Sequence, residues 1–156
     1  MLSIYISYRR ADSRPEAKHI YSYLANHLGA ENVLKDIDLT ISPELDARGA
    51  IAETVALCNA TIVIIGPDWL TVRAERGNYL LKNPNDLVRI EIETGLTKVD
   101  IQVLPVLIAS AQMPNVVQLP VSLQNLASIN PVVLRDNPYF EYDCAQILNA
   151  LTQKHI

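Results

Sequence analysis

The stretch Ile62-Val63-Ile64-Ile65 is an unbroken run of β-branched residues, and Gly66-Pro67 ends it. A strand that buries only one face alternates apolar and polar side chains, whereas this run contains no polar side chain. Such a run is typical of a parallel strand that helices cover on both faces. Residues 103–108 form a second apolar run of the same kind. The two runs predict the centre of a parallel sheet.

Outward from these runs, apolar and amphipathic segments alternate along the chain. The predicted strands are residues 2–7, 32–35, 61–66, 103–108 and 131–134. Strands that alternate with helices predict an α/β fold with helices on both faces of the sheet. Five strands in so short a chain favour a flavodoxin-like three-layer fold with strand order 2-1-3-4-5, whose ligands bind at the carboxyl ends of the strands. We expect residues 1–156 to form one domain.

Four helices are predicted from their start signals and apolar stripes. A capping box with proline in the first turn, Ser13-Arg14-Pro15-Glu16, begins the first helix, and Gly29 ends it. Ser42-Pro43 and Asn83-Pro84 begin the second and third, and residues 139–152 form the fourth. The inward-facing side chains predicted for the last three helices are Leu45, Ile51, Val55 and Cys58, then Val88, Ile92, Leu96 and Val99, then Ile147, Leu148 and Leu151.

Composition excludes several classes of protein. The chain has 156 residues, of which 49% are hydrophobic, so a disordered protein is excluded. The net charge is -4, and the longest basic cluster is Arg9-Arg10, so we expect no nucleic-acid partner. The longest apolar run, residues 60–66, is too short to cross a bilayer. The sequence starts in a strand pattern without a charged leader, and we predict a cytoplasmic protein with no membrane contact.

Motifs for cofactors, metals and nucleophilic catalysis are also missing. None of the five glycines belongs to a dinucleotide fingerprint or a P-loop. The histidines lack metal-ligand spacing and the cysteines lack a CxxC pair, so we predict neither a metal nor a cofactor. No serine stands in a G-x-S-x-G turn. Cys58 and Cys144 are interpreted as small buried hydrophobes in a reducing compartment.

The first candidate site follows the first strand, at Ser7-Tyr8-Arg9-Arg10. Two guanidiniums and an aromatic ring at the carboxyl end of a strand suit a pyrophosphate and a stacked base. The alternative is that both arginines are simply solvated.

The second candidate site lies on the third helix, at Leu87 and Glu91. These residues are one turn apart and about 40° from each other around the helix, on the flank of the buried stripe. Glu93 falls on the opposite flank, so only Glu91 can share a pocket with Leu87. The alternative is that both glutamates are solvated and pair with Arg89 or Lys98. Spacing leaves both interpretations open.

Five blocks of the chain, in this order, resemble the TIR (Toll/interleukin receptor) domains of bacteria, and the NAD-cleaving TIR enzymes in particular. The match covers essentially the whole chain. The blocks are residues 5–10, 35–38, 64–70, 83–96 and 103–107.

The resemblance implies a role for each candidate residue. Glu91 matches the glutamate of the family's W-x-x-x-E pattern, which is the catalytic carboxylate of the enzymatic members. Residues 36–43 match the BB loop, which gates the site and makes contacts between TIR domains. NAD⁺ is then the substrate, and no cofactor or metal is required. The substrate-binding residues that the resemblance implies are Ser7, Tyr8, Arg9, Arg10, Asp36, Asp38 and Leu87.

Two positions depart from the family pattern. Leu87 stands where the tryptophan of W-x-x-x-E is expected, and Tyr8 and Trp69 are the alternative sources of an aromatic surface. The BB loop reads Ser42-Pro43-Glu44 where Pro-Gly is frequent, so we expect its gating to differ.

The resemblance favours an NAD⁺ glycohydrolase or cyclase that self-assembly activates, in bacterial anti-phage signalling. Ordinary glycosidases need two carboxylates, one of which protonates the leaving oxygen. Nicotinamide leaves NAD⁺ as a neutral base, so one carboxylate that stabilises the cationic ribose suffices. The products are nicotinamide and either ADP-ribose or a cyclic isomer. A non-catalytic TIR interaction module is the alternative, and a base-exchange or nucleoside-processing enzyme is a third hypothesis.

Overall fold

A computed structural model describes residues 2–35, 47–74 and 77–154, with the side chain of residue 47 left aside. The strands in these ranges are β1 (Ile4–Ser7), β2 (Val33–Lys35), β3 (Ala60–Ile65), β4 (Gln102–Ile108) and β5 (Val132–Leu134). The α-helices in the same ranges are α1 (Arg10–Leu28), α2 (Ala47–Ala56), α3 (Leu87–Thr97) and α4 (Phe140–Lys154). Short 3₁₀ helices lie at Ala30–Asn32, Leu80–Lys82, Val116–Gln118 and Val121–Ser128.

The strands form one parallel sheet in the order β2-β1-β3-β4-β5. In the central strand pairs, Ile4 lies opposite Val33 of β2 and Ala60 of β3, and Ala60 lies opposite Gln102 of β4. Each predicted run overlaps an observed strand. The flavodoxin-like α/β fold and its strand order are therefore confirmed. In such a sheet the carboxyl ends of all strands open on one edge, where the candidate site was expected.

Helices cover both faces of the sheet, as the unbroken apolar runs predicted. Alternate residues of a strand point to opposite faces. One face packs against α1 and α4, and the other packs against α2 and α3. The buried side chains of the first interface include Ile4, Ile6, Ile62 and Ile64 with Ile20, Leu24, Ile147 and Leu151, and those of the second include Tyr5, Val63 and Ile65 with Ile51, Val55 and Ile92.

Helix α1 begins earlier than the capping box predicted. Its first residue is Arg10, and the predicted N-cap Ser13 lies inside it with non-helical φ and ψ of -146° and 28°. The carbonyl of Arg9 accepts backbone hydrogen bonds from Asp12 at 3.0 Å and Ser13 at 2.9 Å, which closes an extra turn before the kink. The Ser-x-Pro signal therefore marks a kink within the helix. Gly29, with a φ of 94°, ends α1 as predicted.

Helix α3 begins later than predicted, and its buried stripe is shorter. Asn83-Pro84 forms a turn in which the carbonyl of Asn83 accepts a hydrogen bond from Asp86 at 3.0 Å. Asp86 is the N-cap, since its side chain accepts a hydrogen bond from the backbone N–H of Arg89 at 3.2 Å. The prediction that Val99 is buried is wrong, because α3 ends at Thr97 and Val99 is fully exposed.

Several predictions fall outside the described residues. They are the start of the second helix at Ser42-Pro43, the inward side chain of Leu45, and the BB loop at residues 36–43 with Asp36 and Asp38.

Gly66 ends β3 at a point where its backbone meets the carboxylate of Asp12. Asp12 accepts hydrogen bonds from the backbone N–H groups of Gly66 and Asp68, both at 2.8 Å. Burial raises the pKa of Asp12, against the opposing effect of these two hydrogen bonds. A Cβ on Gly66 would lie 2.5 Å from both carboxylate oxygens. Because residue 66 has no side chain, Asp12 of α1 can approach the backbone and hydrogen-bond to the loop after β3 (the Asp12 clamp).

The Gly66→Ala variant is expected to lose about 1–3 kcal/mol of unfolding free energy, because Asp12 must move and its hydrogen bonds to the N–H groups of Gly66 and Asp68 are lost. Gly49→Ala in α2 is the matched control, since a Cβ there meets no described atom within 4 Å. Alanine is favoured over glycine in a helix by about 1 kcal/mol, so this control should gain stability. Urea unfolding measures both changes. A Gly66→Ala protein as stable as the wild type would contradict the clamp.

Burial accounts for the state of both cysteines. Cys58 and Cys144 are buried free thiols. Burial raises the pKa of Cys58 to about 11 and that of Cys144 to about 12, so both stay protonated at neutral pH. Their interpretation as small hydrophobes is confirmed. In the described parts of the chain, the helices are too short or too polar to cross a membrane.

Candidate functional site

A cavity of about 470 Å³ lies beyond the carboxyl end of β1, beside α3 and the start of α1. This volume is in the range of ligand-binding pockets. The cavity brings together residues from both candidate sites, which are far apart in the sequence. Its lining includes Tyr5, Tyr8, Arg9, Arg10, Leu87 and Glu91.

Glu91 projects from α3 into this cavity with 8% of its surface exposed. Its Oε2 accepts a hydrogen bond from the hydroxyl of Tyr5, and its Oε1 accepts one from Ser7 Oγ at 3.1 Å. Both donors belong to β1 and are two residues apart, so they point to the same face of the sheet. The burial excludes an ordinary solvated glutamate. Glu93 lies on another side of the helix, where its Oε1 accepts a hydrogen bond from Arg89 Nε at 3.2 Å.

Ser7 takes part in the site through Glu91. Its side chain is completely buried, so its hydroxyl reaches the carboxylate and not the open space of the cavity. This placement favours a role in orienting Glu91 over a direct contact with substrate.

Arg9 is 4% exposed and forms a bidentate ion pair with Asp86. Its Nη1 donates to Oδ1 at 2.9 Å and its Nη2 to Oδ2 at 2.5 Å. Two parallel hydrogen bonds of this kind are strong and directional. Because Asp86 also caps α3, the pair ties the end of β1 to the start of the helix that carries Glu91. Arg9 is therefore a buried structural cation as well as part of the cavity wall.

The remaining predicted residues lie at different depths. Arg10 is exposed at the start of α1, and Leu87 is 42% exposed at the start of α3. Tyr8 is 8% exposed and lines the cavity. Trp69 is 1% exposed and packs among Val63, Ile65, Ile92 and their neighbours. Of the two aromatic residues considered as replacements for the missing tryptophan, Tyr8 is the one at the cavity.

Sequence reasoning missed two residues of the site, Tyr5 and Asp86. The signal for Tyr5 was its spacing of two residues from Ser7, which places both on one face of a strand. The signal for Asp86 was its residue type immediately before an apolar stretch, which is typical of an N-cap. Neither signal identifies the partner, since Glu91 and Arg9 are reached only in the folded chain.

Comparisons with known proteins agree with this architecture. A sequence model of the TIR domain family matches residues 4–148. A solved structure, described as the TIR domains of the activated Roq1 resistosome directly recognising the pathogen effector XopQ, has a TM-score of 0.66 and 13% sequence identity. The alignment covers 96% of this chain and 99% of that one, and at this identity it supports the fold alone. A search of curated proteins found no match. On the family match, this chain belongs to the TIR domain family.

Proposed function

We propose that this TIR domain cleaves the bond between nicotinamide and ribose in NAD⁺, with Glu91 as the catalytic carboxylate. The observation that carries the proposal is the placement of Glu91 at a cavity of about 470 Å³, with a hydroxyl donor on each carboxylate oxygen. Burial of a carboxylate costs free energy unless hydrogen-bond donors replace the water that it loses. Here two donors on β1 replace that water. The cavity also has the arginines and the aromatic ring that suit a dinucleotide.

The reaction needs one negative charge beside the ribose. The bond between C1′ and the pyridinium nitrogen breaks, and its electron pair neutralises the departing nicotinamide. The ribose becomes cationic in the transition state, and the carboxylate of Glu91 stabilises that charge. Water then adds to C1′ and loses a proton, which yields ADP-ribose. Attack by a nucleophile of the same molecule gives a cyclic isomer.

The other lining residues have complementary roles in this proposal. Arg10 is exposed at the cavity and contributes positive charge for the pyrophosphate. Arg9 is part of the cavity wall and forms its ion pair with Asp86. Tyr8 offers an aromatic surface. Asp36 and Asp38 stay predicted substrate contacts. We propose that assembly of several TIR domains activates the enzyme, and that its setting is bacterial anti-phage signalling.

Incubation of the purified protein with NAD⁺ tests the proposal. Nicotinamide should appear as NAD⁺ disappears. The rate of nicotinamide release should increase more than in proportion to the protein concentration, because assembly activates the domain. Liquid chromatography separates ADP-ribose from cyclic isomers, and an added pyridine base reveals exchange. If protein that light scattering shows to be assembled releases no nicotinamide, the proposal fails.

A non-catalytic interaction module is the second candidate function. The observation that favours it is Leu87, which occupies the position of the expected tryptophan and leaves that wall of the cavity without an aromatic ring. Assembly without nicotinamide release is the result that this candidate predicts.

The Leu87→Trp variant is expected to bind NAD⁺ more tightly, with a KM about two- to ten-fold lower, because an indole ring adds stacking energy. Leu87 is 42% exposed, so the larger ring has room. Leu57→Trp is the matched control, since Leu57 is 81% exposed and does not line the cavity. Steady-state kinetics measure the change. Identical constants for the Leu87→Trp variant and the wild type would show that residue 87 does not touch the substrate.

A further inference from the structure

We infer that Tyr5 is a positioning residue for Glu91, and that its hydroxyl holds the carboxylate in the orientation that catalysis requires. The inference rests on the proposed function of Glu91. It concerns a residue that lies inside the sheet, on the same strand as Ser7.

The ring of Tyr5 is held firmly by its surroundings. Tyr5 is in the middle of β1 and is 1% exposed. It belongs to an apolar cluster in which Ile51 and Val55 of α2 and Ile90 of α3 surround it. A tyrosine side chain has few rotatable bonds, so close packing of its ring also fixes where its hydroxyl lies. That hydroxyl donates to Oε2 of Glu91.

Two donors on one rigid strand determine the plane of the carboxylate. Tyr5 donates to Oε2, and Ser7 donates to Oε1 at 3.1 Å. Because each oxygen has its own donor, rotation of the carboxylate would break both hydrogen bonds. The donors also favour the ionised carboxylate over its protonated form. The two hydrogen bonds therefore hold the carboxylate of Glu91 in one orientation.

Packing alone does not require the hydroxyl. Phenylalanine would fill the same apolar space without a buried polar atom, which must find a partner. The described hydrogen bond of this hydroxyl is the one to Glu91, so its removal acts on the carboxylate. It acts together with the pair between Arg9 and Asp86, which holds the backbone of α3 while Tyr5 holds the end of the side chain.

The Tyr5→Phe variant tests the inference. We expect kcat to fall about ten-fold, because a hydrogen bond to a charged group is lost, with KM changed less than about two-fold. The acid limb of the pH–rate profile should move to higher pH, since the ionised carboxylate loses a donor. Tyr23→Phe is the matched control, because Tyr23 is on α1 and stacks on His27, away from the cavity lining. This control should leave kcat and the pH profile unchanged.

A second measurement does not depend on turnover. Carboxyl ¹³C NMR follows the titration of Glu91, whose signal is assigned by its loss in Glu91→Gln. Its midpoint should lie at higher pH in Tyr5→Phe than in the wild type, and Tyr23→Phe should not move it.

The possible results separate the two proposals. An unchanged midpoint in Tyr5→Phe overturns the inference whatever the activity. So does a loss of kcat that comes with an equal rise in KM and a lower Tm, since these indicate general damage to the fold. A wild type that releases no nicotinamide refutes the NAD⁺-cleaving function, and a shifted midpoint would then still support Tyr5 as the residue that orients Glu91.

Discussion

The Glu91→Gln variant is expected to consume NAD⁺ at least about 100-fold more slowly than the wild type, since loss of one electrostatic contact to a transition state has this size. The amide has the shape of the carboxylate but no charge to set against the cationic ribose. The fold should survive, because the hydroxyls of Tyr5 and Ser7 can each donate to or accept from an amide. Nicotinamide release at equal protein concentration measures the effect, with thermal unfolding as the check on folding.

Glu93→Gln is the matched control for this loss. Glu93 is on the same helix, but it pairs with Arg89 at 3.2 Å and does not line the cavity. Its replacement removes one negative charge from α3 without touching the site, so NAD⁺ consumption should change less than about two-fold, as for a surface substitution. Equal rates for Glu91→Gln and Glu93→Gln would mean that the charge of Glu91 has no part in the reaction.

The Asp86→Ala variant is expected to lose about 3–5 kcal/mol of unfolding free energy, because it leaves a buried guanidinium without its counter-ion. Arg9 is 4% exposed and makes both of its short contacts to this carboxylate. The substitution also removes the side-chain cap of α3, a smaller loss of about 1 kcal/mol. Urea unfolding measures the sum.

Two further variants divide this loss into its parts. Asp86→Asn keeps a good N-cap and removes the charge, so it should be more stable than Asp86→Ala. Adding Arg9→Met to Asp86→Ala removes the stranded cation and should recover part of the stability. Asp100→Ala is the control, because Asp100 is exposed and its loss should cost less than about 0.5 kcal/mol. A loss of similar size for Asp86→Ala and Asp100→Ala would contradict a buried ion pair.

The sheet was predictable because its signals are local. A run such as residues 62–65 is apolar at every position, and this alone indicates burial on both faces. The alternation of strands with helices then leaves few topologies, and the flavodoxin-like order is the one observed. The short strand β2 was predicted from a weak apolar run at residues 32–35, and the strand spans Val33–Lys35.

Helix starts were less predictable because several residues near each start carry the same signal. Asn83-Pro84 and Asp86 are both good starting signals for α3. Asp86 is the actual N-cap, and its carboxylate also pairs with Arg9, which is 77 residues away in sequence. The local sequence around Asp86 does not reveal a pairing with so distant a residue. In α1 the serine and proline were predicted to begin the helix, but they lie at a kink within it.

The sequence by itself determined which segments are strands and most of the apolar stripe of each described helix, and its resemblance to TIR domains singled out Glu91. The tertiary structure decided the state of that carboxylate, since its donors Tyr5 and Ser7 lie 86 and 84 residues earlier in the chain. Patterns of burial repeat every few residues and are visible locally. A hydrogen bond across the sheet depends on where two distant backbones meet, and only the packed fold specifies that meeting point.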